Sequence, residues 1–199
     1  MSRHASEPPI GDKIILWREH LEGISNFPLP PGFSLRWYQP GDQEIWFRIQ
    51  TASDQLNEIT PELFQQQFGN DDQALAKRQC YLLTTQGRAV GTATAWYNDN
   101  FEGRDFGRVH WVAILPDYQG RGLARPLMTA ICERLRELGH KRAYLTTSTA
   151  RLGAIRLYLR FGFSPLIRNP AEAALWHSVE DKMPATFPRN FFRQPHSNQ

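Results

Sequence analysis

Residues 108–115, "RVHWVAIL", form an apolar run of strand length, and shortly after it the pattern turns helical. The joint between them, "LPDYQGRGLARPLM" at 115–128, packs Gly120, Gly122, Arg121 and Arg125 together. Beyond Gly122, Leu127, Ile131, Leu135 and Leu138 recur on one stripe, and Gly139 is a natural stop. "RAYLTTS" at 142–148 then reads as a second strand. Strand, helix and strand in this order require the two strands to run parallel, with the helix crossing one face of their sheet. This fixes the class as α/β, with a mixed sheet flanked by helices.

The other elements fit around that unit. A short helix is expected near Ile14 to Glu22, and "FPLPPG" at 27–32 reads as a linker. A main domain is therefore expected over 33–182, with 1–32 as an N-terminal extension and 183–199 as a C-terminal tail. "FSLRWYQ" predicts a first strand, and Ile45, Ile49, Ala52 and Leu56 predict the buried stripe of a helix after it. "TPEL" at 60–63 predicts a helix start with Thr60 as the cap, running to about Phe68. Residues 79–85 and 89–97 predict a hairpin around "QGR", and "NDNFEGRDFG" a turn before the central strand. Downstream, Thr149 is expected to cap a helix ending at Gly162, "FSPLI" to be a strand, and Asn169 to cap a last helix to about Asp181.

At 199 residues and 41% hydrophobic, the chain can bury one sizeable core. Met1 to Lys13 is polar and lacks the apolar segment of a secretory signal. Nothing later offers the ~18 apolar residues of a membrane span, so a cytoplasmic protein without a membrane partner is expected. Cys80 and Cys132 have neither CxxC nor zinc-ligand spacing, and are expected as buried free thiols. His4, His20, His140, His177 and His196 show no HxxxH or HExxH spacing, so no metal is expected. Charge is segregated: residues 119–160 carry nine Arg or Lys against Glu133 and Glu137, while the remainder holds 14 basic and 18 acidic residues. Such clustering points to an anion held locally, beside a plainer role for pairs such as Glu133 with Arg136.

The joint supplies the means. A helix N-terminus offers unpaired amides and a partial positive charge, which suits phosphate. Glycine lets backbone approach a ligand, and Pro126 costs little in a first helical turn. The stretch lacks the GK[ST] of a P-loop and the GxGxxG of a dinucleotide fold. Gln119-x-x-Gly122-x-Ala124 instead resembles the Q/R-x-x-G-x-G/A signature of the GNAT superfamily of N-acetyltransferases. "AIRLYLRFGF" at 154–163 resembles that family's second hallmark, Ala154-x-x-x-Tyr158 closing on Gly162-Phe163. The likeness is strong over about 75–167. Where the family often has Asn, three residues before Ala154, this chain has Arg151.

The resemblance implies a GNAT-like fold, splayed beside the strand Arg108 to Leu115, with acetyl-CoA as co-substrate. Its pantetheine would pair with backbone at Val112 and Ile114, and its pyrophosphate would sit on Gln119, Gly120, Arg121, Gly122, Leu123, Ala124 and Arg125. A strand amide would stabilise the oxyanion of thioester attack, and Tyr158, protonated at neutral pH, would donate to the leaving sulfur. A core tyrosine is the plainer alternative. His110 is the candidate base, expected by period-2 spacing to share a face with Val112 and Ile114, or else a histidine with a structural partner. Glu102 and Asp105 are weaker candidates or solvated loop acids. Trp96, Tyr97, Phe101 and Trp111 are acceptor-pocket or core aromatics.

The expected activity is acetyl transfer to a primary amine of a small molecule or peptide, and the resemblance extends to a homodimer. Amino acid, polyamine, antibiotic and protein N-terminus are all open as acceptors, bound by the early helices, the 98–107 turn and the tail. The alternative is a GNAT-like module that binds acyl-CoA without turnover. Nucleic-acid binding, suggested by a pI near 9.0, is not expected, because the basic residues interleave with the cofactor motif.

Overall fold

In the computed structural model, which describes residues 11–186 and 188, a single seven-stranded sheet runs through the molecule. The strands are β1 (Lys13–Arg18), β2 (Phe33–Trp37), β3 (Gln79–Thr84), β4 (Ala89–Phe101), β5 (Arg104–Ile114), β6 (Ala143–Ser148) and β7 (Ser164–Pro165). The helices are α1 (Gln43–Ser53), α2 (Leu63–Phe68), α3 (Asp72–Arg78), α4 (Ala124–Glu137), α5 (Leu152–Arg160) and α6 (Pro170–Lys182). Spatial order is β2-β3-β4-β5-β6-β1-β7, and β5 with β6 is the parallel pair that the strand–helix–strand reading required. The remaining pairings are antiparallel.

Several expectations are corrected. The segment expected as a helix at Ile14 to Glu22 is strand β1, inserted between β6 and β7. The boundary expected at Phe33 thus passes between two strands of one sheet. Its run of four apolar residues, Ile14 to Trp17, suits either state, and pairing on both sides decides it. In α1 the buried stripe is Trp46, Ile49 and Gln50, with Ala52 exposed, so the helical period is right but the inward face is rotated. Thr60 does not cap α2, whose N-cap is Glu62 without a side-chain bond. Thr149 does not cap α5, whose N-cap is Arg151. Helix α3 was unexpected; Asp71 caps it by accepting from the amides of Gln73 and Ala74. The long turn expected at 98–107 shrinks to a tight one between Phe101 and Arg104, because β4 and β5 extend almost to it.

The core lies on both faces of the sheet. Leu127, Ile131 and Leu135 of α4 are fully buried, as their stripe implied, and Cys80 and Cys132 are buried free thiols whose pKa values burial pushes up to about 12. Asn169 caps α6 through its side chain, as expected. A second, smaller cluster of Phe101, Phe106, Tyr144 and Leu166 packs at the β5–β6 end, where Phe101 stacks on Tyr144 at 3.8 Å.

Candidate active site

The site begins where two strands part. β5 pairs with β6 only at Gly107 with Ala143 and Arg108 with Tyr144, although both strands continue beyond. On its other side β5 carries a bulge: His110 pairs with Thr94 and Ala113 with Thr92, so Trp111 and Val112 together oppose Ala93. Trp111 takes φ 50°, a strained value for a bulky residue. The extra residue changes the side-chain parity. Thr92 and Thr94 share a face, so His110 and Ala113 do too, and Ile114 points to the opposite face from His110. The period-2 expectation that His110 and Ile114 share a side is therefore overturned by the bulge. The Ile114 carbonyl accepts from Gln119 Nε2 at 2.9 Å and Ser53 Oγ at 3.1 Å, tying the joint and α1 to the strand end.

The joint itself is a short turn at Pro116–Tyr118 followed by Gly120 (φ 73°) and Gly122 (φ 77°). A Cβ at either glycine would meet open space, so backbone conformation rather than crowding requires glycine there. α4 then starts at Ala124, with Leu123 as an N-cap whose side chain bonds no amide. The Arg125 amide donates to the Gly122 carbonyl at 3.2 Å and Pro126 has none, so among the described residues the amides of Leu123 and Ala124 are the ones left for another partner. A cleft of about 540 Å³ opens here, bordered by Gly120, Gly122, Leu123, Ala124 and Arg125. Across it stand Gly153, Arg156 and Arg160 of α5, which the sequence reading did not assign to the site. Their spacing of three and four was the available signal, since it puts all three on one helix face. Arg121 faces elsewhere: its guanidinium donates to the Asp117 carbonyl at 2.8 Å and lies 4.9 Å from the Tyr118 ring.

A second cleft of about 540 Å³ adjoins the first through Ile114, Gln119, Ala124, Gly153 and Leu157, and follows Val112 to Ile114 along the splay. It meets a smaller cavity of about 220 Å³ at Gln50, Val112, Arg151 and Tyr158. Tyr158 borders both. Burial pushes its pKa up to about 12, against the charge of Arg151, and among the described residues nothing hydrogen-bonds its hydroxyl. Arg151 is held by Asp54 at 2.6 Å, a carboxylate only 4% exposed that also accepts from the Leu56 and Asn57 amides. Burial opposes the ionised form of Asp54, but the bonds from Asn57, Leu56 and Arg151 prevail and hold its pKa below the usual value.

His110 lines the small cavity, 7% exposed. Its Nε2 donates to Gln67 Oε1 at 3.0 Å, an oxygen that also accepts from Trp111 Nε1 at 3.1 Å. Burial, then the Arg108 charge, lowers its pKa well below 6.5. Trp111 lines the same cavity, whereas Phe101 is core, Trp96 packs on Phe68 and Tyr97 is 43% exposed. Glu102 pairs with Arg168 at 2.9 Å, and Asp105 lies 3.5 Å from His140. Residues of the 98–107 turn do not border this cavity; Lys13, Gln67, Thr146 and Thr147 do. Among the described residues no cluster could hold a metal, and no helix is long and apolar enough to cross a membrane. His4, His196 and most of the 183–199 tail lie outside the described residues.

A mixed sheet parted beside a glycine-turned helix N-terminus defines a class of acyl-transfer folds, and known proteins of that class superpose on this one. A GCN5-related N-acetyltransferase from Sphaerobacter thermophilus aligns with TM-score 0.66 at 20% identity, over 80% of this chain and 50% of its own. The ribosomal-protein-S18-alanine N-acetyltransferase of Escherichia coli aligns with TM-score 0.56 at 19% identity, over 68% and 79%. The family model for the acetyltransferase (GNAT) family matches residues 44–163, and the chain belongs to that family. Among curated relatives, the mycothiol acetyltransferase of Actinosynnema mirum is 30% identical over 159 residues, 75% of this chain and 51% of its own. The N-alpha-acetyltransferase MAK3 of Arabidopsis thaliana is 30% identical over 84 residues, 42% of this chain and 44% of its own. The chain spans about half the length of the curated relatives it matches.

Proposed function

We propose that the chain is an acetyl-CoA-dependent N-acetyltransferase acting on the primary amine of a small molecule or peptide. The observation that carries this reading is Tyr158: a buried, protonated, unpartnered phenol at the junction of a long cleft and a small polar cavity. The uncapped amides of α4 and the guanidinium groups of Arg125, Arg156 and Arg160 fit a pyrophosphate at the far end of the cleft. Val112 and Ile114 line the stretch suited to a pantetheine arm. Acetyl-CoA supplies the thioester. As the amine nitrogen bonds to the acyl carbon and the C–S bond breaks, Tyr158 delivers a proton to the departing sulfur. The ammonium proton passes to water, and the phenolate regains its proton from solvent. His110, neutral and hydrogen-bonded to Gln67, is a weak base, and its part is to shape the acceptor cavity.

Calorimetric titration with acetyl-CoA, with NAD as control, tests the reading together with thiol release across an amine panel. Binding at ~100 μM or tighter, silence with NAD, and thiol release dependent on an amine are expected. Tyr158→Phe should keep acetyl-CoA affinity within about twofold and lower turnover ~100-fold or more. Binding without turnover for any amine favours a non-catalytic acyl-CoA module, and no binding removes both.

A further inference from the structure

The small cavity beyond Tyr158 has a one-sided charge. Three cations border it, Lys13, Arg108 and Arg151, and no Asp or Glu does. The charge of Arg151 is answered by Asp54 at 2.6 Å. That of Arg108 is not: among the described residues its guanidinium forms no ion pair and no hydrogen bond. Its Nε is buried without a partner among the described residues, and its guanidinium lies 5.6 Å from the Tyr144 ring. Taking a guanidinium partly out of water is unfavourable unless an anion meets it. Here the desolvation is strong enough to lower the pKa of Arg108, and the charge is felt by its neighbour His110.

We propose that the acceptor is a small amine that also carries an anionic group, a carboxylate or a phosphate monoester, seated on Arg108 with Lys13 at the rim. This rests on the acetyltransferase reading above and narrows its substrate class. Arginine suits either anion because its fork donates two parallel bonds to paired oxygens. The Thr146 hydroxyl and the side-chain oxygen of Gln50, whose amide nitrogen donates to the Trp111 carbonyl at 3.0 Å, supply further partners for a polar guest. Polyamines and polycationic antibiotics are disfavoured, since their extra charges would face Lys13 and Arg108. A volume of about 220 Å³ suits a molecule of amino-acid size.

The test compares matched amines on the full chain with acetyl-CoA, reading thiol release. L-amino acids are paired with their α-carboxamides, and O-phosphoethanolamine with ethanolamine. In at least one series kcat/KM should be ~30-fold or more higher for the anionic member, and the series that shows it identifies the anion. Arg108→Gln should raise KM for that substrate at least ~10-fold, with acetyl-CoA affinity as the check on folding. Equal or faster turnover of the neutral members overturns the inference, as does acetyl-CoA binding with no turnover of any anionic amine. Loss of acetyl-CoA binding by the unaltered chain, or binding with no turnover of neutral and anionic amines alike, would overturn the acetyltransferase reading itself, whereas turnover of the neutral members alone overturns only the inference.

Discussion

His110 couples the site to pH through its burial. Its folded pKa lies well below 6.5, the value expected of the unfolded chain, so between those two values the unfolded state binds the extra proton. Stability from this residue is therefore complete above about pH 6.5 and is lost as pH falls below it. His140, also lowered chiefly by burial, adds to the same slope. The melting temperature should fall between pH 7 and pH 5, and His110→Gln, which keeps a donor toward Gln67, should make that fall shallower. Thermal melts at pH 7, 6 and 5 decide it; parallel slopes for both proteins would show that His110 is not held neutral. The same property predicts no inflection from His110 in the rate between pH 6.5 and 8, where it is already uncharged.

The joint between β5 and α4 separates two uses of glycine. Gly122 at φ 77° requires a left-handed backbone, and alanine there should cost ~1–2 kcal/mol of stability. The larger effect should be on acetyl-CoA affinity, about tenfold weaker, because the amides that follow would be re-aimed. Gly153 sits inside α5 with ordinary φ and open space beside it. Alanine there should hold or raise stability by up to ~1 kcal/mol while still weakening acetyl-CoA binding, by placing a methyl group in the cleft. Denaturant titration and calorimetry on both variants separate the cases; equal behaviour would remove the distinction. This joint was legible in sequence because glycine conformation and helix polarity are local properties. Gln67, Gln50 and Arg108 were not, since α2, α1 and β5 bring them to one cavity only through tertiary packing. The bulge at Trp111 was equally hidden, as it depends on the register of β4.

The whole molecule depends on β1, the segment expected as a short helix outside the main domain. β6 loses β5 as a neighbour beyond Tyr144, while β1 pairs with it residue for residue along its whole length, Lys13 to Leu16 facing the stretch from Ser148 to Leu145 that β5 has left. Without β1, one edge of the parted strands would have no ladder at all. The strand also joins the two cores: Ile14 and Leu16 enter the main one, while Ile15 and Trp17 pack on the cluster around Phe106 and Tyr144. An appendage outside the fold would tolerate truncation of Leu16 within about 0.5 kcal/mol. A fully buried leucine in a core strand does not, so Leu16→Ala should cost ~2–5 kcal/mol, as much as Leu82→Ala in β3. Denaturant midpoints of the two variants measured together settle which description holds, and a Leu16 effect below ~1 kcal/mol would place β1 outside the cooperative unit. Because Lys13 begins this strand and borders the cavity proposed for the acceptor, the cost should appear in the cavity too, as weaker acceptor binding at temperatures where the variant is still folded.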